Sequence, residues 1–197
     1  MIKNGDQIIL KGSVTSGLSD EEFLRFCLDN PDLRIERNNK LEIIIMSPDT
    51  GVSGLYHAEI VAQLRNWNHL SGKGYVFDSS TAFSLPDRSV LSPDAAWLSA
   101  DKWEKLMPDD KDRFPPVAPD FVIEIVSKSD SLDELKEKMK LWLKNGVELG
   151  WLIDPRDKKV YVFNIRLADI SEQSLNAPVM GTSPVEGFVL DLSSMRI

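Results

Sequence analysis

Two carboxylates and one ammonium stand where a folded chain ordinarily places hydrocarbon. Glu124 lies within Phe121-Val122-Ile123-Glu124-Ile125-Val126, an apolar and β-branched run entered through Pro119-Asp120. That flanking predicts a strand buried on both faces, where an ionised glutamate is costly unless it has a partner. Asp94 lies in Ser92-Pro93-Asp94-Ala95-Ala96-Trp97, a second short strand entered through proline. The ammonium is Lys138. On a helix each residue advances about 100°, so Leu135, Met139, Leu141, Trp142 and Leu143 define an apolar arc with Lys138 inside it, whereas Lys136, Lys140 and Lys144 fall on the opposite, solvated face. An inward lysine needs an anion. A helix that follows a strand and packs back on the same sheet brings Lys138 toward Glu124.

This set suits one kind of chemistry. Carboxylate oxygens hold Mg²⁺ or Mn²⁺, which keep several waters and usually take one or two protein carboxylates. A neighbouring lysine can orient a water and steady charge developing on phosphorus. The chemistry indicated is phosphodiester hydrolysis at a metal held by Asp94 and Glu124. On the residues alone, plainer readings stay open: Glu124 and Lys138 as a structural ion pair, Asp94 as a turn residue, His57 as a core histidine and Asp120 as a strand entry.

The elements that must position these groups are legible in outline. Ser19-Asp20-Glu21-Glu22 is a capping box, and a short helix follows to Leu28. Leu33 to Arg37 and Leu41 to Met46 flank Asn38-Asn39 as an N-terminal β-hairpin. From Leu55 to Leu70 apolar residues recur at helical spacing, with His57 on the inward face. Strands are expected at Tyr75 to Asp78 and Phe83 to Leu85, a short helix over Asp101 to Leu106, and a proline-rich loop from Met107 to Pro119 that shapes the mouth of a site. The Lys138 helix spans Asp133 to Asn145, with Gly146 as its stop. Trp151 to Asp154 and Val160 to Ile165 form a further pair of strands, Ala168 to Pro184 carries no pattern, and Gly187 to Leu190 reads as a last edge strand.

Composition narrows the class. The chain has 197 residues, 42% of them hydrophobic, and suits one domain over residues 1–197. No apolar run approaches the roughly 20 residues that span a bilayer, and the N-terminus lacks the basic and apolar segments of a secretory signal. Cys27 is the single cysteine, which excludes an internal disulfide and fits the cytoplasm. A net charge of −8 argues against a broad cationic surface for nucleic acid, although a site that collects divalent metal is itself acidic.

The order Pro93-Asp94, Glu124 and then a lysine resembles the PD-(D/E)XK nuclease superfamily. The segments LSDEEF, LRIERNNKLEIIIMSP, LPDRSVLSPDAAWLS, APDFVIEIVSKSDS, KMKLWLKNGVELGWLIDP and VEGFVLDL, with the His57 helix between them, are similar to the Uma family of bacterial restriction endonucleases across nearly the whole chain. The resemblance implies an α/β (α+β) restriction-endonuclease-like core: a mixed central sheet flanked by helices, with the N-terminal hairpin attached. It implies a Mg²⁺- or Mn²⁺-dependent endonuclease acting on nucleic acid, with DNA the expected substrate; because cutting two strands is simplest with two related sites, a homodimer is the expected assembly. Asp94, Glu124 and Lys138 match the catalytic positions, and Glu36 and His57 match the acid of the family's hairpin and the histidine of its helix. One departure is plain. Val126 occupies the usual lysine position two residues after Glu124, and the exposed-looking Lys128 is a poor substitute. The alternative function is a catalytically inactive nuclease-fold module that binds protein or nucleic acid, and hydrolysis of a smaller phosphate ester would use the same groups.

Overall fold

Each strand run in the sequence ends at a turn residue, and the chain alternates accordingly between short strands and a few helices. The computed structural model describes residues 2–4, 7–128, 130–167 and 169–195; Met1, Gly5 and Asp6 of the N-terminal stretch and Ala168 of the tail lie outside them. The N-terminal part comprises β1 (Ile2–Asn4), β2 (Gln7–Leu10), α1 (Ser13–Ser16), α2 (Asp20–Leu28), β3 (Arg34–Arg37), β4 (Ile43–Met46) and α3 (Gly51–Ser71). It is followed by β5 (Gly74–Asp78), β6 (Phe83–Ser84), β7 (Val90–Leu91), β8 (Ala95–Ser99), α4 (Ala100–Glu104) and α5 (Pro108–Lys111). The remainder is β9 (Phe121–Ile125), α6 (Leu132–Lys144), β10 (Leu149–Asp154), β11 (Lys159–Asn164), β12 (Ser171–Ser174), β13 (Val179–Met180) and β14 (Val189–Leu190).

The central sheet runs β12-β11-β10-β9-β8-β5, with β9 and β10 parallel and the other pairs antiparallel. It is a mixed sheet flanked by helices, as expected. The parallel pair is joined through α6, which covers one face with Met139 and Trp142 against Ala96, Val122 and Leu152. The other face holds Trp97, Phe121, Ile123 and Trp151 beneath Ile60 and Leu64 of α3. Alternation along β9 therefore assigns Phe121, Ile123 and Ile125 to α3 and Val122 and Glu124 to α6. A second sheet, β1-β2-β4-β3-β7-β6, carries the hairpin. One of its faces contributes Ile35 and Ile43 to a small core with Phe23 and Val90.

Several boundaries differ from expectation for identifiable reasons. α3 begins four residues before Leu55 because the Thr50 hydroxyl accepts the Ser53 N–H, which starts the helix through two glycines that propensity disfavours. The hairpin turn is longer than Asn38-Asn39. Asn38 Oδ1 accepts the N–H groups of Lys40 and Glu42, and Leu41 takes φ 60°. The unpatterned tail contains β12, an edge strand exposed on both sides, so no apolar alternation marks it. The Met107–Pro119 segment does not shape the mouth of the main cavity. Asp110, Arg113 and Phe114 border a smaller depression beside α2 instead.

One buried polar bridge ties α3 to the sheet. Asn68 Oδ1 accepts the Trp97 indole N–H at 2.8 Å, and its amide donates to Gly74 O at 2.8 Å. Asn68→Ala orphans both groups, so urea unfolding should show a loss of about 2 kcal/mol with an unchanged m-value.

Candidate functional site

Strand register assembles the site. β8 and β9 pair with Ala95 opposite Ile123, and continuing that register by one residue sets Asp94 across from Glu124. Asp94 Oδ2 accepts the Ile125 N–H at 2.7 Å, which fixes the aspartate at the end of the strand. Glu124 faces α6. There Trp142 Nε1 donates to Glu124 Oε1 at 2.8 Å, and Lys138 Nζ lies 2.9 Å from the same oxygen. The spacing of Lys138 and Trp142 places them one turn apart on one side of the helix, so both reach the carboxylate.

The hairpin and α3 supply the rest. Lys138 Nζ also donates to Glu36 Oε1 at 3.1 Å and to Ser92 O at 3.2 Å. Glu36 Oε1 accepts the Ser92 N–H at 2.8 Å. His57 bridges two aspartates: Nε2 lies 3.4 Å from Asp94 Oδ1 and Nδ1 lies 3.4 Å from Asp49 Oδ2. Arg34 pairs with the same Asp49 oxygen at 3.0 Å. All five residues singled out in the sequence thus line one cavity of about 1130 Å³.

Other sequence candidates fall elsewhere. Asp120 is buried but structural: it accepts the Ser99 N–H at 2.7 Å and pairs with Lys102 at 2.8 Å. Val126 is packed in the α6 core, and Lys128 is exposed. Lys136 does not simply face solvent; its ammonium lies 4.2 Å from the centre of the Tyr161 ring. Sequence reasoning missed Arg34, Asp49, Ser92 and Trp142. Trp142 was recoverable, because a tryptophan one turn from an inward lysine has an N–H to place. Nothing local in the sequence marks Asp49 or Arg34.

Charge in this corner does not balance. Among the described residues Glu36, Asp94 and Glu124 face the ammonium of Lys138, with His57 beside Asp94 as the other titratable base. Burial pushes the Glu124 carboxyl up to about 7; the Lys138 charge opposes this, while Asp94 and Glu36 add to it. Burial also works to raise Asp94, but the hydrogen bond and charge of His57, the Lys138 charge and the Ile125 N–H outweigh it and hold Asp94 below the usual carboxylate range. His57 is disfavoured as a cation by burial, yet Asp94 and Asp49 raise it above its ordinary value. Lys138 is raised too, since the three carboxylates overcome its desolvation.

This donor set fits a divalent ion of the oxygen-preferring kind. Among the described residues no three His, Cys, Asp or Glu side chains form a protein-only metal cage. Mg²⁺ does not require one, because it keeps water and takes one or two carboxylates. Asp94 and Glu124 would supply that pair, and an added cation would offset the excess negative charge.

A family model described as "Putative restriction endonuclease", Uma2, matches residues 20–193. The chain belongs to the Uma2 family. Among solved structures it is similar to "a putative nuclease belonging to DUF820 from Anabaena variabilis ATCC 29413", with a TM-score of 0.62 and 22% identity over 76% of this chain and 82% of that one. At that identity the likeness shows a shared fold. No curated protein matches the chain. Among the described residues no helix is long and apolar enough to cross a membrane. Membership of the Uma2 family places the chain with restriction-endonuclease-like nucleases.

The raised Glu124 has a consequence for stability. In the unfolded chain this carboxyl releases its proton near 4.5, whereas the folded protein retains it to about 7. Stability of the metal-free protein therefore falls as pH rises through that window, by something on the order of 3 kcal/mol. The raised His57 acts in the same direction, because its favourable charge is lost as pH rises. Glu124→Gln removes only the first contribution. The decline in melting temperature between pH 5 and pH 8 should be smaller in that variant than in the wild type; equal declines would show that Glu124 does not titrate there.

Proposed function

We propose that this Uma2 chain is a divalent-metal-dependent endonuclease that hydrolyses phosphodiester bonds of nucleic acid, with DNA as substrate. The observation that carries the reading is the convergence of Asp94 and Glu124 from adjacent strands beneath Lys138, whose ammonium lies 2.9 Å from Glu124. Asp94 and Glu124 would hold Mg²⁺ or Mn²⁺. When bound, such an ion polarises a phosphoryl oxygen and lowers the pKa of its water.

The protein groups have distinct tasks. Ile125 and His57 hold the two oxygens of Asp94, so its orientation is set before any ligand arrives. Trp142 and Lys138 do the same for Glu124 through its Oε1. Lys138 places a positive charge beside the position where a phosphate would meet both carboxylates, and that charge favours the more anionic transition state. Glu36 positions the lysine rather than the phosphate, since it touches Lys138 and the Ser92 backbone.

A second reading has its own support. An ammonium carries three N–H groups, and Lys138 already has three oxygen neighbours in Glu124, Glu36 and Ser92. A lysine so engaged suits a structural ion-pair network in an inactive nuclease-fold module that binds protein or nucleic acid. Catalysis would require one of those contacts to exchange for water.

Plasmid and oligonucleotide DNA incubated with Mg²⁺ or Mn²⁺ separates the two. The expected result is metal-dependent cleavage stopped by EDTA, at least 10²-fold slower in Asp94→Asn and about 10²-fold slower in Lys138→Gln, with folding checked by circular dichroism. A folded wild-type protein that neither cleaves nor binds Mn²⁺ at millimolar concentration would leave only the module.

A further inference from the structure

The hairpin sheet has two faces with different fates. Its register sets Ile9 beside Ile44 and Ile44 beside Glu36 in one row, and Gln7 beside Met46 and Met46 beside Arg34 in the next. Cross-strand partners and residues two apart share a face, so these six side chains lie together. The intervening residues, among them Ile35 and Ile43, point the other way into the small core. All six of the first set line the large cavity, and Ile9, Ile44 and Met46 are only half-buried there. An aliphatic wall therefore runs directly up to Glu36, the neighbour of Lys138, and α6 closes the opposite side with Leu135 and Leu141.

The cations of this cleft are mostly committed to the protein's own carboxylates. Arg34 pairs with Asp49, Lys138 with Glu36 and Glu124, and Lys140 with Glu137. Lys40 and Lys144 also line the cavity; among the described residues neither is within ion-pair distance of a carboxylate, although the charge of Lys40 is felt by Glu42 and that of Lys144 by Asp87. Two lysines outside ion pairs are a poor match for an intact duplex, which carries one charge per about 1.7 Å and is bound largely by neutralising them. A duplex also hides the flat faces of its bases. Unpaired nucleotides expose those faces, and each has an apolar surface that hydrocarbon can cover.

We propose that the cleft takes unpaired nucleotides of a nucleic-acid strand, with bases laid against Ile9, Ile44 and Met46 and a phosphate presented to the Asp94, Glu124 and Lys138 corner, in preference to intact duplex. The proposal rests on the nuclease reading above and specifies its substrate. Selectivity comes from burying base faces. Electrostatics contributes little, so the dependence on salt is shallow.

The test is fluorescence anisotropy of a labelled 12-nucleotide strand and of the same strand in a duplex, in Ca²⁺ with the probe checked for integrity. The single strand should bind at least tenfold more tightly, and log K against log salt should have a slope of about −1.4, the value for two phosphate contacts on a single strand. Ile44→Thr with Met46→Thr keeps β-propensity and charge but strips the wall. That double variant should lose at least fivefold in single-strand affinity, with duplex affinity and Mn²⁺ affinity unchanged. Equal or tighter binding of duplex, no binding of either probe, or an unaltered double variant overturns the proposal. A protein that cleaves duplex with Mn²⁺ yet binds both probes alike keeps the nuclease and loses the base platform. One that binds the single strand selectively but cleaves nothing keeps the platform and loses the nuclease.

Discussion

Three carboxylates share a buried corner with one ammonium, and much of the surrounding fold can be understood as the means of holding that arrangement together. Like charges at this range in a low-dielectric setting repel, and the repulsion is relieved only by protonation, a counter-cation or separation. Separation is prevented by the backbone. Asp94 is tied to the Ile125 N–H and Glu36 to the Ser92 N–H, so each acid is fixed to an element other than its own. Glu124 cannot withdraw either, because it lies mid-sheet on β9 between β8 and β10. What remains is to hold a proton on Glu124 or to gain positive charge, part of which His57 supplies beside Asp94.

The same constraint explains why two sheets are needed. A single sheet with helices on each face would bury Glu124 against α6 with no route to a ligand. The hairpin sheet stands beside the end of β8, reaches Lys138 through Glu36, and leaves a cavity between itself and α6. Its inner face packs on Phe23 and Val90. Its outer face is thereby released from core duty and presents Ile9, Ile44 and Met46 to the cavity. A strand with one core-facing and one cavity-facing side reads in sequence as an undifferentiated run, as Ile43-Ile44-Ile45-Met46 does.

That run marks the limit of what could be read from the residues. Local signals carried far: the capping box at Ser19 is present with both of its hydrogen bonds, and the arc containing Lys138 turns inward as its spacing demands. Those features depend on near neighbours. The approach of Glu36 to Lys138 depends on which strands pair and in what register, information that resides in long-range packing. Resemblance to a family supplied Glu36 and His57, while the physics of the chain supplied Glu124 and Lys138. Asp49 illustrates what neither source revealed, since an aspartate after Ser47-Pro48 has every local reason to be a turn residue. Only the position of His57 in the second turn of α3 turns it into a partner of the site.

The valine at position 126 can be understood in the same terms. It shares the α6 side of the sheet with Glu124, as residues two apart on an extended strand do, and it is packed among Val122, Met139 and Trp142. A lysine there would have to thread its stem through that hydrocarbon to bring an ammonium to Glu124. Lys138 arrives from the helix above, one turn from Trp142, and reaches the same oxygen without disturbing the layer. What this chemistry requires is a positive charge at a point in space beside the two acids. The backbone segment that delivers it is free to change as long as the side chain can span the distance, and with Lys138 in place a second ammonium would compete with any metal for Glu124. The packing of Val126 and the approach of Lys138 from α6 are therefore compatible, and Glu124 has its ammonium without one at position 126.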